Sequence, residues 1–465
     1  MVGQRLSHAR ILGFSCAAAA LLGCAPPDDK PPIQGGGGAV DAGASILEAP
    51  PLPTDDGSNA TLGCTGEGPI VLDPALPLTD FGRTYMAAFR NVPAVGSPTF
   101  AVVNHRQADG RIHAQLYAFD AAAPTQVTKG PSLAAQVLDV KLDGAAFVLL
   151  TVDANGGLHA LRYAAVPAAS FGPATAPTDT SLGPVGACDL LTGTLHVNAP
   201  GDYLAAVSGT ACGAGGPWLG VARTGKAVKG VAVHAELMPS NPNYPLDAMI
   251  MLNDAILVSG NEFWVLAGPN YKGFTALGGM STLLYPIDLA TLAEGTPRKM
   301  ALGTANDMLW PIAFGKGPNV AVKAVTPANG TPVPPVYVSS GATAASALAG
   351  QGLAQQTFTA TPFASVDDAL MWNVTANWWG NELLATSVRL GTPNARGANL
   401  YWWRANGMLR AGTSAANAIG KTTAFKSVAA TFKNPLAPSA SLWMTGFFQG
   451  ASGTGSVVVY DVTCK

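Results

Sequence analysis

A strand–turn–strand pattern that recurs along the chain constrains the fold more than any other feature of the sequence. In seven segments an apolar strand is followed by a turn rich in Gly, Asn or Asp and by a second strand that closes on a charged or polar residue. The second strands are Leu116–Asp120, Leu158–Arg162, Leu219–Arg223, Leu284–Asp288, Val336–Ser340, Leu400–Arg404 and Val457–Asp461. First strands can be read in five units: Phe100–Val103, Phe147–Val152, Tyr203–Val207, Val320–Val325 and Leu442–Phe447. Successive units lie about 57 residues apart on average, which indicates a repeat fold.

The length of this repeat favours one all-β architecture. A hairpin about every 57 residues leaves room for two further strands, which complete one four-stranded blade of a β-propeller. Turns such as Ala108-Asp109-Gly110 and Asn155-Gly156-Gly157 supply the positive φ angles that tight hairpins need. We therefore expect an all-β protein with one β-propeller domain over residues 63–465 and seven blades, and the uneven spacing leaves six or eight blades open. A two-domain β-sandwich protein is the alternative.

The charge composition excludes several classes of protein. Only 12% of the 465 residues are charged, 48% are hydrophobic, and 26 basic against 28 acidic residues give a formal net charge of −2. A nucleic-acid-binding protein would carry a basic surplus, and coiled coils and disordered chains are far richer in charge. We expect a globular, monomeric domain with no nucleic-acid partner.

The first 24 residues resemble the signal of a bacterial lipoprotein. A basic start with Arg5 and Arg10 is followed by the apolar run Ile11–Leu22, which is too short to span a bilayer and leads into Gly-Cys at Cys24. The sequence Leu-Leu-Gly-Cys resembles a lipobox, which implies that residues 1–23 are removed and that Cys24 is lipidated. An ordinary secretory signal with a chance cysteine is the alternative.

The segment that follows is typical of a flexible tether. Residues 24–62 are rich in Pro and Gly and contain little apolar material to bury. Together with the lipobox, this predicts a disordered tether between the domain and a membrane that holds the lipid. We expect a lipoprotein of the bacterial cell envelope, at the outer membrane or the cell surface.

Four cysteines remain after the signal and Cys24, and four cysteines allow three pairings. An oxidising compartment favours disulfides over a metal site, and no Cys-x-x-Cys or nearby histidine pair suggests zinc. Cys64 and Cys464 stand at the two ends of the domain, whereas Cys188 and Cys212 lie close together in one segment. The favoured pairs are Cys64–Cys464, which would fasten the ends of a ring, and Cys188–Cys212.

Two of the repeated strands resemble a known family. Leu116–Asp120 (LYAFD) and Leu284–Asp288 (LYPID) are similar to the repeat of quinoprotein-like (PQQ-type) β-propellers. That family includes cofactor-using dehydrogenases and an outer-membrane assembly lipoprotein without enzymatic activity, so the resemblance implies the fold rather than one function. The adjacent cysteines of its alcohol dehydrogenases do not occur here, and no cofactor is expected.

The nearest pair of histidines is the first candidate for chemistry. His105 and His113 lie on the two arms of the first predicted hairpin and could approach each other. A metal or acid–base site would need a third group such as Asp109. Asp109 fits better as the turn residue before Gly110, so we expect no metal site.

The second candidate is an acidic pair in an aromatic-rich segment. Asp367 and Asp368 are neighbours, so on one strand they point to opposite faces and cannot form the carboxylate pair of a glycosidase by themselves. Glu382 is conceivable as a partner but arbitrary. The motifs of zinc proteases, P-loop proteins, serine hydrolases and EF-hands are absent from the sequence. No catalytic residue can therefore be named.

Tryptophan is unevenly distributed, with eight of nine residues beyond position 260. Trp378 and Trp379 are consecutive, as are Trp402 and Trp403, so one member of each pair should face outward or toward a neighbouring blade. Exposed indole rings suit sugar rings or partner side chains, whereas packing between blades is the structural alternative. These four tryptophans are the candidate ligand-binding residues.

Taken together, these features favour a lipid-anchored binding or scaffold module for an envelope protein or glycan, without enzymatic activity. The alternative is an extracellular enzyme (a hydrolase, a lyase or quinoprotein-like) with its site in the central funnel of the propeller. Convergent His, Asp, Arg or Tyr side chains around the central channel would favour the enzyme. A purely structural envelope component is the third hypothesis.

Overall fold

The structure is a computed structural model in which almost every described element is a strand. Beside 29 strands, the described residues contain the short 3-10 helix Ala168–Ser170, and none of their helices is long and apolar enough to cross a membrane. The described residues are 64–77, 82–89, 98–107, 110–213, 215–234, 249–252, 256–270, 283–299, 308–314, 320–325, 336–339, 354–356, 372–379, 382–390, 396–404, 407–412, 424–433, 441–449 and 454–464. The predicted signal, the tether and the lipidation site Cys24 lie outside them.

Within the described ranges the strands form seven antiparallel sheets, numbered here along the chain. Sheet 1 contains β2 (Gly82–Ala88), β3 (Pro98–Arg106), β4 (Ile112–Asp120) and β5 (Ala123–Leu133). Sheet 2 contains β6 (Ala135–Asp143), β7 (Ala146–Asp153), β8 (Gly157–Ala164) and β9 (Thr178–Pro184). Sheet 3 contains β10 (Ala187–Ala199), β11 (Asp202–Ala211), β12 (Pro217–Arg223) and β13 (Lys226–Val231).

The later sheets repeat the same strand order. Sheet 4 contains β14 (Met249–Met251) and β15 (Ile256–Ser259), which both pair with β16 (Glu262–Asn270), then β17 (Leu283–Asp288) and β18 (Arg298–Lys299). Sheet 5 contains β19 (Met308–Phe314), β20 (Val320–Val325), β21 (Val336–Ser339) and β22 (Ala354–Gln356). Sheet 6 contains β23 (Trp372–Trp379), β24 (Glu382–Leu390), β25 (Arg396–Arg404) and β26 (Gly407–Gly412). Sheet 7 contains β27 (Ala424–Phe432), β28 (Ser441–Gln449), β29 (Thr454–Cys464) and β1 (Cys64–Pro77).

The predicted hairpins are the second and third strands of these sheets. All seven predicted second strands coincide with the third strand of a sheet, namely β4, β8, β12, β17, β21, β25 and β29. The five predicted first strands coincide with β3, β7, β11, β20 and β28. Gly110 and Gly156, in the turns of the first two hairpins, have φ angles of 81° and 79°. The repeat and its turn chemistry are therefore confirmed.

Neighbouring sheets contact each other around a closed ring. Contacts between first strands join sheets 1 and 2 (β2–β6), 2 and 3 (β6–β10), 5 and 6 (β19–β23), 6 and 7 (β23–β27), and 7 and 1 (β27–β2). Sheets 3 and 4 meet through β11–β14, and sheets 4 and 5 through β16–β19. Sheet 7 is completed by β1, from the other end of the chain, which pairs with β29. This radial arrangement of four-stranded sheets is a β-propeller, so the fold class is confirmed and the sandwich alternative is wrong. The number of blades in the whole chain stays a prediction.

Apolar side chains between the sheets form the core. One cluster joins sheets 1 and 2, where Phe100 and Phe147 lie with their ring centroids 4.5 Å apart. Phe171, which follows the 3-10 helix, packs on Phe100 at 4.7 Å. A Cβ atom on Gly130 of β5 would lie 2.5 Å from the Phe171 ring, so a glycine is required for this close approach.

Candidate functional site

The four candidate tryptophans lie at one end of sheet 6. Strand β23 ends at Trp379 and β24 begins at Glu382, so Trp378 and Trp379 adjoin the turn between them. Strand β25 ends just after Trp402 and Trp403, at the turn to β26. Because antiparallel neighbours turn at alternating ends, both turns belong to the same end of the sheet. The backbone therefore brings together two tryptophan pairs that are separated by 24 positions in the sequence.

The strand register assigns the four residues to two faces. Trp378 is opposite Leu383, and Leu383 is opposite Trp403, so Trp378 and Trp403 belong to one row and one face. Consecutive residues of a strand alternate between faces. Trp379 and Trp402 therefore belong to the other face of sheet 6.

Three polar residues accompany the tryptophans in these rows. Glu382 is opposite Trp379 in the last row of the sheet, and Arg404, opposite Gly407, belongs to the same row. Asn377 lies two rows further in, on the same face of the sheet as Trp379. A carboxylate, a guanidinium and an amide supply both acceptors and donors for hydrogen bonds. This end of sheet 6 thus combines flat apolar groups with polar groups, the composition of a small-molecule binding site.

The two candidate histidines are brought together in one strand pair. His105 and His113 are directly opposite each other in the β3–β4 ladder, and their ring centroids lie 6.1 Å apart. His105 is 2% exposed, so it is a buried residue rather than a solvated one. Asp109 lies outside the described residues. Among the residues that the structure does describe, no group of three or more His, Cys, Asp or Glu could hold a metal ion.

Another histidine, at the same end of sheet 2, lies between two carboxylates. Nδ1 of His159 is 2.9 Å from Oδ1 of Asp179, and Nε2 is 3.5 Å from Oδ2 of Asp153. The Gly157 and Asn155 N–H groups and His159 hold the pKa of Asp153 below its ordinary value. Asp153 Oδ1 accepts both N–H groups at 2.8 Å, so this carboxylate orders the hairpin turn.

The remaining acidic candidates are not assembled into a site by the described backbone. Asp367 and Asp368 lie outside the described residues. Glu382 is the first residue of β24, opposite Trp379. A carboxylate pair typical of a glycosidase therefore stays untested.

The cysteines occupy two pairs of neighbouring strands. Cys188 and Cys212 form a disulfide between β10 and the turn after β11, with Cα atoms 5.1 Å apart, as predicted. Cys64, the first residue of β1, is opposite Cys464, the last residue of β29, in the strand register. The two ends of the domain therefore meet, while the bond between these two cysteines stays a prediction.

The inner strands of sheets 1 and 2 carry charged and phenolic groups that the sequence did not single out. Tyr85 donates from its hydroxyl to the Leu138 carbonyl at 2.7 Å, and burial raises its pKa above the ordinary value for tyrosine. Asp139 Oδ2 accepts the Leu195 N–H at 2.8 Å and lies 3.4 Å from Nζ of Lys141. These bonds cross from one sheet to the next, so the groups stabilise the ring.

Two further carboxylates join neighbouring sheets in the same way. Asp143 of sheet 2 accepts from the Tyr203 hydroxyl of sheet 3 at 2.9 Å and from Arg162 Nε at 2.7 Å. Asp73 of sheet 7 accepts, at 2.8 Å each, from the Tyr117 hydroxyl and from Lys129 Nζ of sheet 1. We call these two groups the Asp143 contact and the Asp73 contact.

The closing residues of two repeated strands gave a signal for ion pairs within a sheet. Arg162 closes its predicted strand and pairs with Asp143, and Arg223 closes the next one and pairs with Asp202 at 2.8 Å. The side-chain hydrogen bond from Arg223 holds the pKa of Asp202 below its ordinary value. In both sheets the arginine of the third strand pairs with an aspartate at the turn between the first and second strands.

Three solved structures are similar to this chain at low sequence identity. A protein of unknown function from Dyadobacter fermentans has a TM-score of 0.43 and 11% identity, with 86% of this chain and 99% of that chain covered. The six-bladed lectin of Aleuria aurantia has a TM-score of 0.38 and 10% identity, with coverages of 72% and 98%. The β-propeller domain of the Trilobed protease from Pyrococcus furiosus has a TM-score of 0.39 and 8% identity, with coverages of 81% and 95%. No protein-family model matches the chain, and no curated protein matches it in sequence.

Proposed function

We propose that this protein is a lipid-anchored binding propeller of the bacterial envelope, and that the tryptophan end of sheet 6 binds a glycan. The register of sheet 6 carries this proposal, because it gathers Trp378, Trp379, Trp402 and Trp403 at one end of a four-stranded sheet. Glu382 and Arg404 are placed in the same terminal row of that sheet.

Physical chemistry favours a sugar as the ligand of such a surface. The apolar faces of pyranose rings pack on indole rings, and a Trp buries a large area with little loss of conformational freedom. The hydroxyl groups of a sugar both donate and accept hydrogen bonds, as do the polar groups that accompany the tryptophans. A low density of charge over the whole chain also fits an uncharged ligand better than a nucleic acid.

The place of action follows from the N-terminal sequence. The resemblance of Leu21–Cys24 to a lipobox and the Pro/Gly-rich segment up to residue 62 support an anchored domain on a flexible tether. Replacing Cys24 by Ser tests the anchor. We expect wild type to remain with the membrane fraction and the Cys24→Ser variant to be recovered in the soluble fraction, and equal distribution of the two would contradict lipidation.

Two matched double variants test the glycan site. We would screen the full chain in detergent on a glycan array, as wild type, as Trp378→Ala/Trp403→Ala and as Trp379→Ala/Trp402→Ala. Each double variant removes two indoles from one face of the same sheet end. Losing a stacked aromatic side chain weakens binding by about tenfold or more, so one of the two variants should lose binding while the other retains it.

A third variant separates recognition from folding. Trp310 lies near the start of β19, at the opposite end of neighbouring sheet 5, so Trp310→Ala should bind as wild type does. Circular dichroism and thermal unfolding must show that the tested variants are folded. Wild-type binding by both double variants, or no glycan bound by wild type, would overturn the proposal.

A further inference from the structure

The N-terminal strand closes the ring from outside. Strand β1 is the outermost strand of sheet 7, in the order β1-β29-β28-β27. It pairs with β29 from Cys64 opposite Cys464 to Pro77 opposite Thr454. Residues 1–63 therefore join the domain at the Cys64 end of this strand pair.

The two cysteines stand where antiparallel geometry permits a disulfide. Directly opposed residues of antiparallel strands have Cα atoms about 4.5 to 5.5 Å apart. Disulfides span Cα separations of about 4.4 to 6.8 Å. The Cys188–Cys212 disulfide bridges an adjacent antiparallel strand pair in this same chain, at a Cα separation of 5.1 Å. The chain thus already contains a bond of the required kind.

We propose that Cys64 and Cys464 form a disulfide that makes the ring one covalent loop and carries tension from the N-terminal segment directly to β29. Two thiols lose two protons and two electrons, and the disulfide of a dithiol oxidant in the exporting compartment accepts them to become a dithiol. The Cys188–Cys212 disulfide shows that the fold suits a compartment where such oxidants act.

The position of the bond determines its mechanical effect. Among the side chains of β1 that the structure describes, the first that holds the strand is Asp73, which accepts from Tyr117 and Lys129 and whose carbonyl accepts from Ser456. Between Cys64 and Asp73, the ladder to β29 has two register shifts. A pull at residue 63 would otherwise act on this irregular part of the ladder. With the bond, the pull passes to β29, which is held between β1 and β28.

Peptide mapping is the first test. The exported full chain, purified in detergent without reductant and digested with free thiols blocked, should yield one peptide pair that links Cys64 to Cys464. Recovery of both cysteines in the alkylated thiol form, or of either joined to Cys188 or Cys212, would overturn the proposal.

Pulling the full chain by its two termini tests the mechanical consequence. In wild type the force passes through the Cys64–Cys464 bond and not through the domain, so the chain should extend only by the segments outside this bond while the domain stays folded. In wild type with reductant, unfolding should release about 400 residues, which extends the chain by about 140 nm at about 3.5 Å per residue. In Cys464→Ser the remaining Cys188–Cys212 disulfide holds back its loop of 24 residues, so the extension should be about 130 nm. Cys212→Ser is the matched control, because it removes the other cross-strand disulfide and should keep the wild-type limit. Full extension of unreduced wild type would contradict the proposal even if Cys464→Ser failed to fold.

Discussion

The Asp73 and Asp143 contacts each combine a carboxylate, a tyrosine hydroxyl and a basic side chain, at two different boundaries of the ring. The Asp73 contact joins sheet 7 to sheet 1, where the chain closes on itself, and the Asp143 contact joins the consecutive sheets 2 and 3. In both, one carboxylate oxygen accepts from a tyrosine hydroxyl and from a basic side chain. Their energies need not be equal, because the contacts differ in exposure and in the second carboxylate oxygen.

Solvent reaches the two contacts to different extents. The side chain of Lys129 is 55% exposed and that of Asp73 is 8% exposed. The side chains of Arg162 and Asp143 are 36% and 1% exposed. Ion pairs that solvent reaches contribute little to stability, whereas breaking a buried pair by removing one partner is costly.

The second carboxylate oxygen also differs. Oδ1 of Asp73 accepts the Ala75 N–H at 3.1 Å. Oδ1 of Asp143 is buried and has no hydrogen-bond partner among the residues that the structure describes. The Asp73 carboxylate thus accepts through both oxygens beside a mostly exposed lysine, whereas the Asp143 carboxylate is almost fully buried and accepts through one oxygen. We expect the more buried contact to contribute more to stability.

The largest effect is expected for Asp143→Ala. The replacement leaves the buried Tyr203 hydroxyl and the partly exposed Arg162 guanidinium without their common acceptor, which should lower the free energy of unfolding by about 3 kcal/mol. Urea denaturation at pH 7 followed by circular dichroism measures it. A loss below that of Asp73→Ala would reverse the ranking of the two contacts.

A smaller loss is expected for Asp73→Ala. Tyr117 loses its acceptor and the Ala75 N–H loses its bond, but Lys129 can be solvated, so the free energy of unfolding should fall by about 2 kcal/mol. The same urea experiment applies, with wild-type Cys64 and Cys464 kept so that ring closure is unchanged. A loss as large as that of Asp143→Ala would show that the greater exposure of the Asp73 contact does not weaken it.

Alkaline pH should destabilise the protein through both tyrosines. Burial, followed by the hydrogen bond to Asp143 and its charge, raises the pKa of Tyr203 to about 12. Burial, followed by Asp73, also raises the pKa of Tyr117 above its ordinary value. An acid whose pKa rises on folding stabilises the folded state fully below its ordinary pKa of about 10, and this stabilisation is lost as the pH rises above that value. Tyr203→Phe and Tyr117→Phe should each lower the free energy of unfolding by about 1 kcal/mol at pH 7. In each variant, the free energy of unfolding should also fall less steeply than in wild type between about pH 10 and about pH 12. An unchanged alkaline slope in both variants would exclude this origin.

The smallest effect is expected for Lys129→Met. An ion pair with one half-exposed partner contributes about 0.5 kcal/mol or less to the free energy of unfolding, and Asp73 keeps its bonds to Tyr117 and Ala75. Arg162→Met is the matched variant at the other contact and should cost about 1 kcal/mol. Thermal unfolding of both variants in low and in high salt measures the difference, and a larger loss for Lys129→Met would contradict the role assigned to exposure.

Much of the fold could be predicted because inner strands such as β7 are hydrophobic on both faces. Second and third strands lie inside each sheet and between neighbouring sheets, so runs such as Phe147–Val152 read as apolar segments. Fourth strands lie on the outside of the ring. In β13 (Lys226–Val231) four of six residues are exposed, so no hydrophobic pattern marks it. The closing strand β1 could not be placed from periodicity, although the terminal cysteines indicated that the ends meet.

The site was predicted less completely, because contacts between sheets join distant residues. Trp378 and Trp402 were found from composition, but their common sheet end depends on the register of β23, β24 and β25. Asp143 and Tyr203 are 60 positions apart, and no local pattern links an aspartate to a tyrosine over that separation. The closing arginines Arg162 and Arg223 were used only to mark the ends of repeated strands, although an arginine at this position also indicates an ion pair with an aspartate of the same sheet.

The direction of β1 determines at which side of the ring the propeller begins. Cys64 lies at the end of sheet 7 where the third strand, β29, finishes, and the tryptophans lie at the end of sheet 6 where its third strand, β25, finishes. Radial repetition puts these two ends on the same side of the propeller, and the hairpin turns at Gly110 and Gly156 on the opposite side. The proposed glycan site and Cys64, the first described residue of the domain, therefore share one side of the ring.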